Sequence, residues 1–153
     1  MVTWKQFTVS DPELAAKGES LLFQFGVGLA FLATIRADGA PRLHPLCPVL
    51  SNGGLYVLIA PKSPKRWDLL RDGRYALQTF PEARKDSDEF YFSGTAQPIG
   101  DPVIKDAVLK DAKHFASAEE ALFELLIDRA MHTIWEGFGT PEFRPVHTKW
   151  SEG

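Results

Sequence analysis

Residues 29–60, LAFLATIRADGAPRLHPLCPVLSNGGLYVLIA, decide the fold. Over 29–36, Leu29, Phe31, Ala33 and Ile35 alternate with Ala30, Leu32, Thr34 and Arg36. A period of two puts each set on one face of a β-strand. Asp38-Gly39 is a tight-turn pair, so 41–50 is expected to return antiparallel beside the first strand. Pro41, Pro45 and Pro48 make that return irregular or place it at an edge, because proline has no N–H to give to a ladder. Ser51-Asn52-Gly53-Gly54 is a second turn signal, and 55–60 is short, apolar and aromatic enough to be a third strand of the same meander. Parallel βαβ units would need a helix after every strand, so this stretch excludes them.

The flanks add helices and further strands. Ser10, Asp11, Pro12 and Glu13 form a capping box with proline in the first turn, which predicts a helix over 10–25, closed by Gly26 and Gly28. Ser63 before Pro64 predicts a short helix through Trp67, Leu69 and Leu70 that stops at Gly73. Strands follow at 75–80 and 89–97, joined by a polar loop over 81–88. Asp101-Pro102 starts another helix. Ser117 with Glu120 repeats the capping box ahead of Ala118, Ala121, Leu122, Leu125 and Leu126, which share a helical face and predict one more helix. The aromatic segments 131–138 and 143–150, divided at Gly139 to Pro141, are expected to form a last hairpin. The sum is a mainly β, α+β architecture with antiparallel strands. A closed or half-closed barrel would protect the edges of so many short strands.

With 153 residues, 44% hydrophobic and 24% charged, the chain has the length and composition of one ordinary globular domain spanning 1–153. A net charge of −3 gives no general attraction to nucleic acid or to an anionic membrane, so any anion site has to be built locally. The single Cys47 cannot form an internal disulfide, which fits a reducing cytoplasm, and an inert buried thiol is the expected role. No signal-peptide pattern and no apolar run of about 20 residues is present, so a soluble cytoplasmic protein is expected. His44, His114, His132 and His147 are scattered without the spacing of a metal site, and none is expected. Ser93-Gly94-Thr95 is expected to mark a bulge. Asp86, Asp88 and Glu89 are expected in a solvated loop.

The most informative chemical feature is Lys62-Ser63-Pro64-Lys65-Arg66, which follows an apolar strand and opens a helix. Amide donors, the positive end of the helix dipole, the Ser63 hydroxyl and the cationic side chains would converge there, which suits a phosphate. Spacing alone equally allows Ser63 to be a simple cap and the basic residues a solvated surface.

Several of these pieces occur in a characteristic order. They are a strand ending Ala33-Thr34-Ile35-Arg36, the turn Asp38-Gly39, Pro41-Arg42-Leu43-His44-Pro45, the strand over 55–60, then Ser63, Lys65 and Leu69, then 74–78. The combination resembles the N-terminal core of the pyridoxamine 5′-phosphate oxidase-like flavin-binding split barrels. It covers about residues 20–98 well and the remainder in outline. The resemblance implies an antiparallel split β-barrel that holds FMN at a homodimer interface. It implies that Ser63 and Lys65 hold the cofactor phosphate, with Lys62 and Arg66 as helpers. It places Arg42, His44 and Leu46, or their backbones, near the ring or ribityl chain, and makes Gln78 a hydrogen-bond partner of the cofactor. Trp135 and Trp150 are the aromatic residues expected to reach the partner's cofactor, unless they simply fill the barrel or the interface.

The function implied is that of an FMN-dependent oxidoreductase acting on a small organic substrate. The deazaflavin F420 is the first alternative, although its acidic tail would want basic residues beyond the phosphate pocket. A non-catalytic flavin carrier and a barrel without cofactor are the readings outside enzymology. Haem handling occurs in relatives of the fold, but these histidines declare no axial ligand. Pyridoxamine 5′-phosphate oxidase activity itself is not expected, because the chain ends Thr148-Lys149-Trp150-Ser151-Glu152-Gly153 without an Arg-rich pattern.

Overall fold

The computed structural model describes residues 1–81 and 88–153. Most of the loop expected over 81–88, with Asp86, lies outside them. Two short helices come first. Thr3 and Gln6 form a reciprocal capping box that starts α1 (Trp4–Ser10), a helix not expected from the sequence although its capping signal lies there. Asp11 then ends α1, and its side chain accepts the Leu14 N–H at 3.0 Å to start α2 (Pro12–Leu22). The cap of the expected helix is therefore Asp11 rather than Ser10, and the helix stops at Leu22 rather than near Phe25. Ser10 Oγ instead accepts the indole N–H of Trp150 at 2.9 Å.

The first hairpin forms as expected, from β1 (Ala30–Ile35) and β2 (Pro41–Leu46), with Thr34 opposite Arg42 and Leu32 opposite His44. The expected three-strand meander does not continue from it. β3 (Val49–Ser51) pairs with β4 (Gly54–Ile59), and β4 then joins the last long strand rather than β2. The break falls at Cys47-Pro48, where Pro48 has no N–H for a ladder. Following β4 come α3 (Pro64–Arg71), β5 (Arg74–Thr79), β6 (Glu89–Ile99), α4 (Pro102–Asp111), β7 (Ala121–Glu136) and β8 (Arg144–Ser151). The sheet runs β2-β1-β5-β6-β7-β4-β3, all antiparallel, with β8 also on β7. β2 and β3 thus stand at opposite ends of the ladder although only Cys47 and Pro48 separate them in the chain. The ladder itself is not closed.

The helix expected over 118–126 is a strand instead. Leu125 and Ile127 are buried on one face of β7, and its first half pairs with both β4 and β6. The local capping signal survives as a turn, with Ser117 N–H donating to Glu120 Oε2 at 3.1 Å. Long-range pairing on both edges outweighs the propensity of one helical turn. At Gly94 the β6–β7 register shifts, and a Cβ there would run into the Leu126 carbonyl. This is the bulge expected at Ser93-Gly94-Thr95.

α1 and α2 cover the inner face of the sheet. Phe7, Leu22, Leu32, Leu77, Phe90, Phe92 and Leu125 are fully buried there. Each contributes about 1.5–3 kcal/mol through burial. Among the described residues no helix is long and apolar enough to cross a membrane.

Candidate cofactor site

The register of β1 and β2 decides which side chains meet. Arg42, His44 and Leu46 lie opposite Thr34, Leu32 and Ala30, and directly opposed residues share a face. They therefore stand on the core side of the sheet, at its open end. α3 packs over β1 on that side and brings Asp68, only 4% exposed, to the same spot. Asp68 accepts three hydrogen bonds, from Thr34 Oγ1 at 2.9 Å, Arg42 Nε at 2.7 Å and Arg71 Nη2 at 3.3 Å. Arg71 also donates to the Ile35 carbonyl. Burial pushes the Asp68 carboxyl up, and the hydrogen bonds from Arg42, Thr34 and Arg71 outweigh it, so its pKa is lowered overall.

Arg42, His44 and Lys65 are close enough to disturb one another. Lys65 is held below its ordinary value, first by burial and then by the Arg42 charge. His44 is lowered by burial, then by Lys65 and Arg42, against a smaller opposing pull from Asp68. The shift favours the neutral imidazole of His44 beside Arg42 and Lys65. Ser63 is the N-cap of α3, yet its hydroxyl makes no capping hydrogen bond. The Arg66 guanidinium lies 5.0 Å from the Trp67 ring centroid and donates to the Pro61 carbonyl at 3.4 Å, while its Nε is buried without a partner. Lys62 is exposed at the start of the same turn. Arg42, His44 and Lys65 are therefore brought together in a basic corner where β2 meets the β4–α3 connection, and Lys62, Ser63 and Arg66 flank Lys65 along the chain. Cations held together, a hydroxyl released from capping and a buried guanidinium nitrogen without acceptor all suit a phosphate.

Gln78, Trp135 and Trp150 are not in that corner. Gln78 lies opposite Phe31 and Tyr91, on the outer face of the sheet, and donates to Glu89 Oε2 at 2.9 Å. Next to Tyr91 the same face carries a cavity of about 320 Å³ lined by Arg129, Met131 and Lys149. Trp135 stacks on Phe143 at 5.2 Å in the β7–β8 hairpin, with Phe138 edge-on to Phe143 at 5.6 Å. Trp150 packs on Phe7 at 4.9 Å, against its own core. Two of the histidines have separate partners, His132 Nε2 at 3.0 Å from Asp88 Oδ2 and His147 Nδ1 at 3.0 Å from Thr133 Oγ1, while His114 Nδ1 is buried without a partner among the described residues. Burial pushes the half-buried Cys47 thiol up, away from thiolate. Asp68, Thr34 and Arg71 are the site residues that reading the sequence missed. The Asp68–Arg71 spacing of three was legible on a helix, but the Thr34 and Arg42 contacts depend on how α3 docks.

No family model and no curated protein matches the sequence. Solved structures match its fold. A haem-binding protein from Mycobacterium smegmatis superposes with a TM-score of 0.61 at 20% identity, over 85% of this chain. This chain spans only 56% of that protein's length. A candidate 5-nitroimidazole antibiotic resistance protein from Bacteroides thetaiotaomicron gives 0.64 at 17% identity, over 76% of this chain and 81% of that one. A candidate pyridoxamine 5′-phosphate oxidase from Listeria innocua gives 0.61 at 18% identity, over 77% and 96%. The chain has the fold of the pyridoxamine 5′-phosphate oxidase-like proteins, an antiparallel α+β sheet with flanking helices. Identities this low carry the fold and not the activity.

Proposed function

We propose that this protein binds FMN through the basic corner, as a homodimer, and acts as an oxidoreductase on a small organic substrate. The observation that carries the reading is the cluster of Arg42, Lys65 and neutral His44 beside the uncapping Ser63 hydroxyl. Lys65 and Arg42 repel one another until an anion sits between them, so a phosphate would relieve a cost that the folded chain already carries. Asp68, the carboxylate at this spot among the described residues, is committed to Thr34 and two arginines and so leaves Lys65 to the ligand. In this reading Lys65, Arg42 and Ser63 hold the phosphate, and Arg66 and Lys62 add positive potential. His44 offers a neutral polar contact further along β2. When bound, the flavin supplies the hydride and electron chemistry.

The outer face supports the homodimer. Leu43 is 64% exposed there, and Phe31 stacks on Phe80 at 4.2 Å with Ala33, Ile35 and Ala76 on the same face. A second copy covering this face would also bring a second set of outer-face groups, Gln78 among them, toward the shared interface.

The test is titration of the purified chain with FMN, followed by absorbance and fluorescence. Replacing Lys65 by Ala removes a charge-assisted hydrogen bond of about 1.5–3 kcal/mol, so affinity is expected to fall by about one to two decades with the melting temperature unchanged. Equal FMN affinity in the two proteins would remove Lys65 from the site. F420 binding in place of FMN moves the protein to the deazaflavin alternative, for which Arg129 and Lys149, lining the outer-face cavity, are two basic groups outside the phosphate corner. A Soret band would instead give it the ligand named for its Mycobacterium smegmatis neighbour.

A further inference from the structure

Asp68 lies at the junction of β1, β2 and α3, with 4% of its surface exposed. A carboxylate buried to that degree is retained only when paired and fully hydrogen-bonded, and apolar residues of similar size often fill such a place at no loss of stability. Its partners come from three different elements, Thr34 on β1, Arg42 on β2 and Arg71 on α3. Arg42 reaches it through Nε alone, and among the described residues no protein acceptor takes the Nη groups of Arg42. The Arg42 side chain is 25% exposed, so those two nitrogens open to solvent at the corner where Lys65 and His44 stand.

We infer that Asp68 is a positioning residue of the anion site: by holding Arg42 at Nε it presents the Nη pair, together with Lys65, as a preformed clamp for a phosphate. This rests on the reading that Arg42, Ser63 and Lys65 receive the cofactor phosphate. A guanidinium whose rotamer is already chosen loses less conformational entropy when the ligand arrives. Thr34, itself buried, fixes the carboxylate that fixes the arginine.

Charge alone makes the opposite forecast, because a carboxylate next to an anion site repels the anion. Removing it should then tighten binding. The two accounts therefore differ in sign. FMN affinity is measured by fluorescence titration for the full chain and for Lys65→Ala, Arg42→Ala, Asp68→Ala, Asp68→Asn and the Arg42→Ala/Asp68→Ala double variant. Positioning gives Asp68→Ala an affinity lower by about tenfold despite the lost negative charge. Asp68→Asn, which keeps an oxygen to accept Nε–H, stays at or above wild type. The double variant binds no more weakly than Arg42→Ala alone, since the carboxylate acts through that arginine.

Unchanged or tighter binding by Asp68→Ala, with Lys65→Ala still weakened, overturns the inference and leaves the site assignment standing. A wild-type chain that does not bind FMN, or Lys65→Ala that binds as well as wild type, overturns both. Where Asp68→Ala does not fold, Thr34→Val decides in its place, in the wild-type and Arg42→Ala backgrounds. A loss of about threefold that disappears in the Arg42→Ala background supports positioning, and no loss, or the same loss in both, overturns it.

Discussion

At the scale of single residues, His44 connects the fold to pH. Its pKa is lowered first by burial and then by Lys65 and Arg42. Below the ordinary value of 6.5 the unfolded chain is therefore protonated at this residue while the folded chain is not yet. The unfolded state binds the extra proton, so stability rises with pH across that interval. The contribution of neutral His44 is complete above pH 6.5 and is lost as pH falls through the folded value. Melting curves between about pH 8 and pH 5 are expected to show this loss in the wild type and a shallower one in His44→Gln. Identical slopes would mean that the imidazole does not feel its neighbours. Lys65 works in the other direction for a ligand. Only its protonated form attracts a phosphate, so the proposed FMN binding is expected to weaken as pH rises through the lowered Lys65 pKa.

At the scale of elements, β7 carries the largest disagreement between pattern and structure. Leu122, Leu125 and Leu126 satisfy a helical spacing, and the Ser117–Glu120 turn ahead of them forms. Residues 121–124 nevertheless pair with β4, and the segment pairs with β6 along its other edge. No local signal reports a partner some sixty residues away. The bulge at Gly94 is the point on which this strand depends, because β6 passes so close to the Leu126 carbonyl that no Cβ fits. Gly94→Ala is expected to destabilise the protein by roughly 3 kcal/mol, with a drop in melting temperature of about 6–12 °C. A variant melting with the wild type would show that the bulge relaxes without strain. α2 illustrates a smaller error of the same kind, since both Ser10 and Asp11 are good caps. Asp11 caps the helix while Ser10 serves Trp150 from the far end of the chain.

At the scale of the whole molecule, the outer face is where two copies are expected to meet. Leu43 is its most exposed apolar side chain on β2, and an aspartate there would bury a charge in the interface without touching the monomer's core. Leu43→Asp is expected to sediment as a monomer at micromolar concentration where the wild type is a dimer, with unchanged circular dichroism. A wild type already monomeric at that concentration would remove the shared site. The residues that matter for the fold were legible to different depths. Alternation over 29–36, the Asp38-Gly39 turn, the proline caps at Pro64 and Pro102 and the basic run at 62–66 declare themselves, because each rests on interactions within a few residues. The sequence by itself therefore determined an antiparallel α+β chain with a basic, proline-capped helix start. Only the tertiary structure decided that β3 and β4 leave the first hairpin for the far end of the sheet, that 121–126 is strand, and that Asp68 meets Thr34 and Arg42. Those outcomes rest on pairings and packing between residues tens of positions apart, where the free energy comes from partners that no local pattern names.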